Sequence, residues 1–430
     1  MPILLTISVF AAFYALSFYY MKKTLCLSIS FIFTIIFIVG LRFLFSSTYE
    51  ISFLPMIGGL SLISLHTLLS LILMMIIVPK TYFKHKYIGL FYIYIILMFL
   101  SAFYNGIFSI ALPDILKFIY LLLFMMALAH FVNIYSSERL MKALITLILP
   151  VIFLQVLSIV FGYAKDTEAD GSISYIGSYS HEAVFSFVCL IGIYLSCFLY
   201  VLSREKKWLL CVSILLISIY FANYRTTILA SLPVIFFICY LTSTERLSHK
   251  YKLILKIVST FLVAIIIYKI LSSERFADIV LIFDVFDAYL LDPAFYDRST
   301  IQIFSGRLYF WAQFYQEYLQ SSPMQKIIGS GSSAYIIWAE KYAHNQFVSI
   351  IYELGLIGFI VINMIFFRPY FYYFINKGSR NKVTKTSLLA LTGMVILCQG
   401  TMPLWSIEGS ICFSIIFMMF NNFKFSCAKS

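Results

Sequence analysis

The stretch EAVFSFVCLIGIYLSCFLYVL, residues 182–202, contains a single charged side chain, which is its first residue. A run of about 20 apolar residues is long enough to cross the hydrocarbon core of a bilayer as a helix. His181 and Glu182 stand at one end of the stretch, and a basic segment, residues 204–207, follows the other end. The sequence therefore predicts a membrane-spanning helix with a polar pair at one end and positive charge at the other.

Comparable apolar stretches recur along the whole chain. Of its 430 residues, 62% are hydrophobic and 12% are charged, which is far from the composition of soluble domains. We predict an all-α polytopic membrane protein with about 12–14 transmembrane helices, forming a single integral membrane domain over residues 1–430. A long external loop, residues 273–345, is expected to carry short interfacial helices. The predicted membrane helices cover residues 2–20, 25–46, 52–78, 87–105, 112–133, 140–162, 182–202, 207–223, 226–243, 252–271, 346–374, 386–401 and 408–422.

Basic residues occur on every second connection between the predicted helices. Those connections carry 21 of the 31 lysines and arginines but only three of the 19 acids. Because cytoplasmic loops of membrane proteins are enriched in lysine and arginine, we predict that these connections are cytoplasmic and that the others, including residues 273–345, are external. The same asymmetry accounts for the net charge of +12. We therefore expect membrane lipid as a partner and no nucleic acid.

The eight cysteines are scattered along the chain, without a CxxC pair or a metal-ligand spacing with histidine. Neither a disulfide framework nor a zinc site is supported by that distribution. We expect no metal ion and no cofactor.

Residues 305–320 are predicted to form an interfacial helix. Ser305 is a suitable N-cap, and Pro323 with the two glycines that follow it is expected to end the helix. Tryptophan and tyrosine suit the headgroup region, where an apolar ring and a polar edge are both solvated favourably. The side chains that recur at helical spacing on one face are Leu308, Trp311, Tyr315 and Leu319.

Two arginines at the predicted external boundary are candidate binding residues. Arg307 falls in the first turn of the helix 305–320, where free backbone N–H groups also attract an anion. Arg225 lies at the outer end of the predicted helix 226–243, and a charged side chain at membrane depth marks a functional candidate. The alternative for each is an arginine that reaches the interface or pairs with a nearby acid. Arg42 and Lys117 are two further cations in outer halves of predicted helices, with the same alternative.

His344 stands at the start of the predicted helix 346–374, next to Asn345. An unperturbed histidine titrates near ~6.5, so a neutral His344 could take a proton from a sugar hydroxyl. The pair His181 and Glu182 is a second polar group facing the predicted external side.

In order and spacing, these residues resemble the C-terminal region of the superfamily of O-antigen polymerases (Wzy type) and O-antigen ligases. The resemblance covers roughly residues 165–420, and residues 177–182 are similar to a weaker motif of the same superfamily. The residues that carry it are Arg225-Thr226, Ser305-Gly306-Arg307, Trp311, Pro323, Gly329-Ser330-Gly331, His344-Asn345 and Gly355-Leu356-Ile357-Gly358.

The resemblance implies a metal-independent glycosyl transfer on the outer face of the cell inner membrane, from a glycan linked to undecaprenyl pyrophosphate. It implies that Arg225 and Arg307 clamp the pyrophosphate and that His344 is the base for the acceptor hydroxyl. Further candidates for binding pyrophosphate or glycan are Asn345, Lys117, Arg42, His181, Glu182 and Trp311.

A polymerase would transfer the growing chain to a lipid-linked repeat unit, and a chain-length regulator protein would be a further partner. A ligase would transfer the finished chain to lipid A–core, and both enzymes share the arginine–histidine pattern. An alternative of another class is a polysaccharide flippase or exporter, for which a repeat and polar residues near mid-membrane are expected.

Overall fold

The computed structural model describes residues 1–166, 173–244, 293–296, 306–339, 341–376 and 381–421. Its α-helices are α1 Ile3–Lys23, α2 Ile29–Ile35, α3 Leu41–Ser47, α4 Tyr49–Ser52, α5 Leu62–Ile77, α6 Gly89–Tyr104, α7 Phe108–Tyr135, α8 Ser137–Thr146, α9 Leu149–Val160, α10 Glu182–Ser203, α11 Lys207–Phe221, α12 Arg225–Thr244, α13 Arg307–Gln320, α14 Pro323–Ile328, α15 Gln346–Ile375, α16 Lys382–Gly400 and α17 Ile407–Asn421. The described part also contains two small antiparallel sheets of two strands each, formed by β1 Pro55–Ile57 with β2 Leu60–Ser61 and by β3 Lys165–Asp166 with β4 Ile173–Ser174.

Eight helical segments of the described residues are long and apolar enough to cross a membrane, and four further apolar helices are shorter. The chain is therefore an all-α, multi-pass membrane protein, as the composition predicts. The eight long segments are Ile3–Lys23, Ile29–Ser47, Phe108–Tyr135, Ser137–Val160, Glu182–Ser203, Arg225–Thr244, Gln346–Ile375 and Lys382–Gly400.

Most of the predicted membrane helices coincide with helices of the described part, and the predicted helix 252–271 lies outside it. The prediction of one helix over residues 52–78 is wrong in its first part. The segment 55–61 forms the β1–β2 hairpin instead, and the helix α5 begins at Leu62. Gly58 and Gly59 both have positive φ angles, of 58° and 79°, which suit the turn of a hairpin and not a helix.

The predicted helix 140–162 is also divided. It consists of α8 and α9, and Pro150 stands in the first turn of α9. Proline lacks the N–H group that a continuous helix would need, and its fixed φ angle suits the first turn of a new helix. The interruption is therefore a local consequence of one residue.

The helix α10, which the opening stretch predicts, lies at the centre of the bundle. Of the residues in its most apolar stretch, 94% are buried. The helix packs against α8, α11, α12 and α17. A helix that is apolar on all sides is buried among other helices rather than placed at the surface. The position of α10 fixes where its first residues, and the N-cap residue His181, lie.

The helix α15 is broken at Gly355, whose φ of 64° and ψ of −167° are not helical. The break leaves backbone carbonyl groups without helical partners, and a loop supplies replacements. The N–H of Ser330 donates to the Tyr352 carbonyl at 3.0 Å, and the N–H of Gly331 donates to the Glu353 carbonyl at 2.8 Å. Irregular backbone within a membrane protein needs such protein partners, because lipid offers none. The Gly329–Gly331 loop therefore packs directly against the segment that contains Gly355.

Four segments meet at one end of the bundle, which we call the His344 end: residues 47–50, 163–165, 176–182 and 341–345. All four lie at or next to boundaries predicted to be external. Their common location agrees with that prediction, whereas the side of the membrane on which they lie stays a prediction.

Candidate functional site

His344 lies in a loop whose backbone is held on both sides. Its φ is 51°, a left-handed conformation that residues other than glycine rarely adopt. On one side, the indole N–H of Trp311 donates to the Ala343 carbonyl at 2.8 Å. On the other side, Asn345 caps α15, and its Oδ1 accepts the N–H of Phe347 at 2.9 Å. These two contacts fix the position from which the imidazole projects.

Aromatic rings surround this imidazole. The ring centroids of Tyr342 and His344 are 4.0 Å apart, and those of Phe310 and His344 are 6.1 Å apart. Tyr342 also contacts Trp405, with centroids 5.9 Å apart, and the Lys341 ammonium lies 5.8 Å from the Phe310 centroid. The surroundings of His344 therefore combine low polarity with positive charge, both of which oppose its protonation.

Burial, followed by the positive charges of Arg307, His181 and Lys341, lowers the pKa of His344 to about 4. Arg307 and His181 are distant from His344 in the sequence, whereas Lys341 lies three residues before it. At neutral pH the imidazole is therefore uncharged, with a free lone pair to accept a proton. Two further residues selected from the sequence, Arg307 and His181, thus both act on His344.

Arg307 is the first residue of α13, which runs to Gln320 and agrees with the predicted helix 305–320. Ser305, the predicted N-cap, lies outside the described residues, and Gly306 occupies the capping position with a φ of 77°. Arg307 thus stands in the first turn, beside the free N–H groups of the helix. Helix end and guanidinium together favour an anion at this point.

The buried face of α13 differs from the predicted one. Leu308 is buried as expected, but Tyr315 and Leu319 are 45% and 44% exposed, whereas Ala312 and Phe314 are buried. Phe314 packs between the rings of Trp338 and Tyr352, with centroids 5.0 and 5.5 Å away. The neighbouring segments thus select a face that helical spacing alone does not identify.

Pro323 was expected to end this helix, and α13 does end at Gln320. Pro323 then begins the short helix α14, in which Ser322 forms a capping box with Gln325. Gln325 also donates to Asn105 at the end of α6, at 2.8 Å. The segment is therefore anchored to the bundle before it reaches the Gly329–Gly331 loop.

Arg225 is the first residue of α12, and its side chain is exposed. The preceding residue, Tyr224, lies within electrostatic range of Tyr342, as do Arg307 and Glu182. Burial, together with the acidic groups of Tyr224 and Glu182, raises the pKa of Tyr342 to about 12, although the positive charge of Arg307 opposes that shift. The start of α12 is thus next to the loop that carries His344.

A second set of contacts places α12 in the same region. A Cβ atom on Gly400, at the end of α16, would lie 2.8 Å from the Thr226 side chain, so the two helices touch closely there. The adjacent residue, Gln399, accepts a hydrogen bond from Asn345 at 3.4 Å. Asn345 is 4% exposed, so its side chain serves the cap of α15 and the contact with α16.

His181 and Glu182 form a linked pair at the start of α10. The Nδ1 of His181 accepts the N–H of Ala183 at 3.1 Å and so caps the helix. Glu182 pairs with Lys165 at 3.3 Å and accepts a hydrogen bond from Ser174 at 3.2 Å. Burial lowers the pKa of His181, and the Glu182 carboxylate opposes that shift.

Arg42 lies in a different cluster. It donates to both carboxylate oxygens of Glu408, at 2.7 and 3.4 Å, and the Ser46 hydroxyl donates to the same carboxylate at 2.6 Å. Glu408 is completely buried. Arg42 was open to a binding role or to pairing with an acid. Its contact with Glu408 supports the pairing.

Lys117 belongs to a third cluster, close to the break in α15. Its ammonium pairs with Asp114 one turn earlier at 2.8 Å, and the Ser333 hydroxyl donates to the same carboxylate. Glu353, 2% exposed, lies within electrostatic range of both. Sequence reasoning did not single out Glu353 or Glu408, although an acid inside an apolar helix is a signal that could have identified each.

Among the described residues, no group of three or more histidine, cysteine, aspartate or glutamate side chains is arranged to hold a metal ion. No protein-family model matches the chain. Comparison with curated proteins gives no match either. The function is therefore inferred below from the chemistry of the His344 end and from the motif resemblance.

Proposed function

We propose that the protein is a polysaccharide polymerase of the cell inner membrane. It transfers a growing glycan from undecaprenyl pyrophosphate to the sugar end of a lipid-linked repeat unit, on the external face. The observation that carries the proposal is a neutral, partly buried His344 within electrostatic range of Arg307 at one end of a bundle of membrane helices.

The two halves of a glycosyl transfer need opposite electrostatics. The acceptor hydroxyl must lose its proton as its oxygen bonds to the anomeric carbon of the donor, and the neutral imidazole of His344 accepts that proton. The bond from the anomeric carbon to the pyrophosphate breaks, and the leaving group takes the electron pair. Guanidinium groups and the start of α13 then stabilise the developing charge.

Arginine suits the leaving group better than lysine, because its planar fork donates two parallel hydrogen bonds to phosphate oxygens. We assign Arg307 to this role, with Arg225 as the second clamp. A bound pyrophosphate would offset the positive charge near His344 and raise its pKa, which makes the imidazole a stronger base only after the donor is in place.

The rings around His344 support a location at the membrane boundary. Tyr342, Phe310 and Trp405 group there, and aromatic side chains with a polar edge are enriched at the headgroup level. A lipid-linked substrate has its pyrophosphate at that level. Trp311 acts on this loop indirectly, through its hydrogen bond to the Ala343 carbonyl.

The test uses Arg225→Ala, Arg307→Ala and His344→Ala in a host that lacks its own copy of the gene. Each variant should lose long-chain glycan while its amount in the membrane stays unchanged, and Arg→Lys at either arginine should restore little. Arg139→Ala is the matched control, because Arg139 is exposed at the start of α8. It should give the normal distribution of chain lengths.

Normal chain lengths in both arginine variants would exclude the clamp assignment. Purified protein given only lipid-linked repeat units should make ladders of increasing length. A protein that stays inactive until lipid A–core is added would instead be a ligase.

A further inference from the structure

A polar cavity of about 240 Å³ lies at the His344 end, between the start of α1 and the segments 47–50, 163–165 and 176–179. This volume is smaller than the ~300–1,000 Å³ of pockets for drug-sized ligands. One sugar ring with its hydroxyl groups fits such a space, whereas a whole repeat unit does not.

The hydroxyl groups that line this cavity are positioned to accept hydrogen bonds. Ser47 and Thr48 donate their hydroxyl protons to the Leu44 carbonyl, at 2.7 and 3.0 Å. Thr6 and Ser178 bond to each other at 2.7 Å. Because these protons are largely used within the protein, oxygen lone pairs remain for a ligand. A ligand rich in O–H donors complements that lining.

Glu50, Tyr49 and Tyr163 also line the cavity. The Glu50 carboxylate is exposed and can accept hydrogen bonds on both oxygens. Tyr49 and Tyr163 are 37% and 45% exposed and offer apolar ring faces for the C–H groups of a sugar. A carboxylate in the lining disfavours a phosphate, and Lys165 already pairs with Glu182. The lining therefore favours a neutral polyhydroxyl group over an anion.

A short chain of contacts joins this cavity to His344. Lys165 lines the cavity and lies 3.3 Å from Glu182. Glu182 lies 3.7 Å from His181, and His181 is within electrostatic range of His344. The cavity and His344 therefore lie at the same end of the bundle, linked through Lys165, Glu182 and His181.

We propose that this cavity binds one sugar residue of the acceptor glycan, next to the residue whose hydroxyl reacts. The inference rests on the proposed function, since it names a subsite for the acceptor in that reaction. The subsite holds the repeat unit in register, while Arg225 and Arg307 hold the donor's pyrophosphate.

The first experiment measures initial rates at varied concentrations of lipid-linked repeat unit for Glu50→Gln and Tyr163→Ala. Loss of a hydrogen bond to a charged group should raise KM for the acceptor about tenfold with kcat nearly unchanged. Tyr104→Ala is the control, because Tyr104 is 54% exposed at the end of α6 and lies outside the cavity lining. Its kinetic constants should equal those of the wild type.

The second experiment does not depend on turnover. Glu50→Cys and Tyr104→Cys, in a background with Cys26→Ser and Cys239→Ser, are labelled with a membrane-impermeant maleimide. The probe is the free repeat-unit oligosaccharide, released from its lipid by mild acid. It should slow labelling at position 50 several-fold and leave labelling at position 104 unchanged.

Unchanged KM in both variants, or equal labelling with and without the oligosaccharide, would overturn the cavity assignment. The proposed function would survive that result if the wild type still makes polymer. A wild type that transfers nothing from lipid-linked units would instead overturn the proposed function, and the labelling experiment would still decide whether the cavity binds sugar.

Discussion

His344 has a left-handed backbone and a partly buried imidazole, and both follow from its neighbours. Two hydrogen bonds stabilise this strained backbone: Asn345 caps α15, and Trp311 donates to the Ala343 carbonyl. Strained residues of this kind persist where the surrounding structure over-determines them, and they cluster at functional sites. The aromatic rings of Tyr342 and Phe310 then cover part of the imidazole.

The pH dependence of kcat/KM should report the lowered pKa of His344. An exposed histidine loses its base form below about pH 6.5, whereas His344 stays neutral down to its pKa of about 4. We therefore expect kcat/KM to stay constant from neutral pH to about pH 5 and to fall as the pH approaches 4. Initial rates in detergent at each pH, with size-exclusion profiles to confirm folding, measure this.

Lys341→Gln is an informative companion variant, because Lys341 is one of the charges that lower the pKa of His344. Its acidic limb should move towards neutral pH. A wild-type limb near pH 6.5 would contradict the depressed pKa.

At the scale of elements, the break in α15 shapes the region around the two acids Asp114 and Glu353. Two glycines, at positions 355 and 358, inside a predicted helix indicate that the helix could be irregular. They do not reveal which of the two positions breaks it. The break depends on the Gly329–Gly331 loop, which supplies N–H donors to the freed carbonyls.

Gly355→Ala should destabilise the protein by at least about 2 kcal/mol. Its φ of 64° and ψ of −167° belong to a region that only glycine adopts readily, and an added Cβ would lie 2.4 Å from the Ile327 carbonyl oxygen. Thermal unfolding of the detergent-solubilised protein measures the effect as a lower midpoint.

Gly89→Ala is the matched control. Gly89 has helical angles, and a Cβ there would meet no atom within 4 Å. It should change stability by less than about 1 kcal/mol, in the stabilising direction. Equal midpoints for the two variants would show that the break in α15 tolerates a side chain.

At the scale of the whole molecule, the pair Arg42–Glu408 joins positions 366 residues apart. The guanidinium is 12% exposed and the carboxylate is completely buried. Removing either charge alone would be strongly destabilising, because the remaining charge would have no compensation for its lost hydration. The pair therefore fixes α3 against α17.

Glu408→Gln should destabilise the protein by about 3–5 kcal/mol, since it leaves Arg42 without its counter-charge. The double variant Arg42→Met/Glu408→Met should recover most of that loss, because no buried charge remains. Thermal unfolding midpoints of the three proteins decide the matter.

Glu138→Gln is the control for this comparison. Glu138 pairs with Lys142 one turn away in α8 and is 42% exposed, so its loss should cost less than about 0.5 kcal/mol. A Glu408→Gln variant as stable as Glu138→Gln would mean that the buried pair does not hold the two helices.

The sequence by itself determined the all-α membrane class, most of the helices and the residues of interest at their ends. Length and apolarity are local properties, so a stretch such as residues 182–202 predicts its own helix without knowledge of its neighbours. Local patterns also identified Arg307 in a first helical turn and His344 beside the start of α15.

Only the tertiary structure decided which polar residues meet. It groups His181 and Arg307 with His344, and it gives Arg42 and Lys117 to separate acidic partners. It also shows a hairpin at residues 55–61, where the sequence predicts the first part of the helix 52–78. These outcomes depend on contacts between segments distant in the chain, and the energy of a buried charge depends on what lies around it.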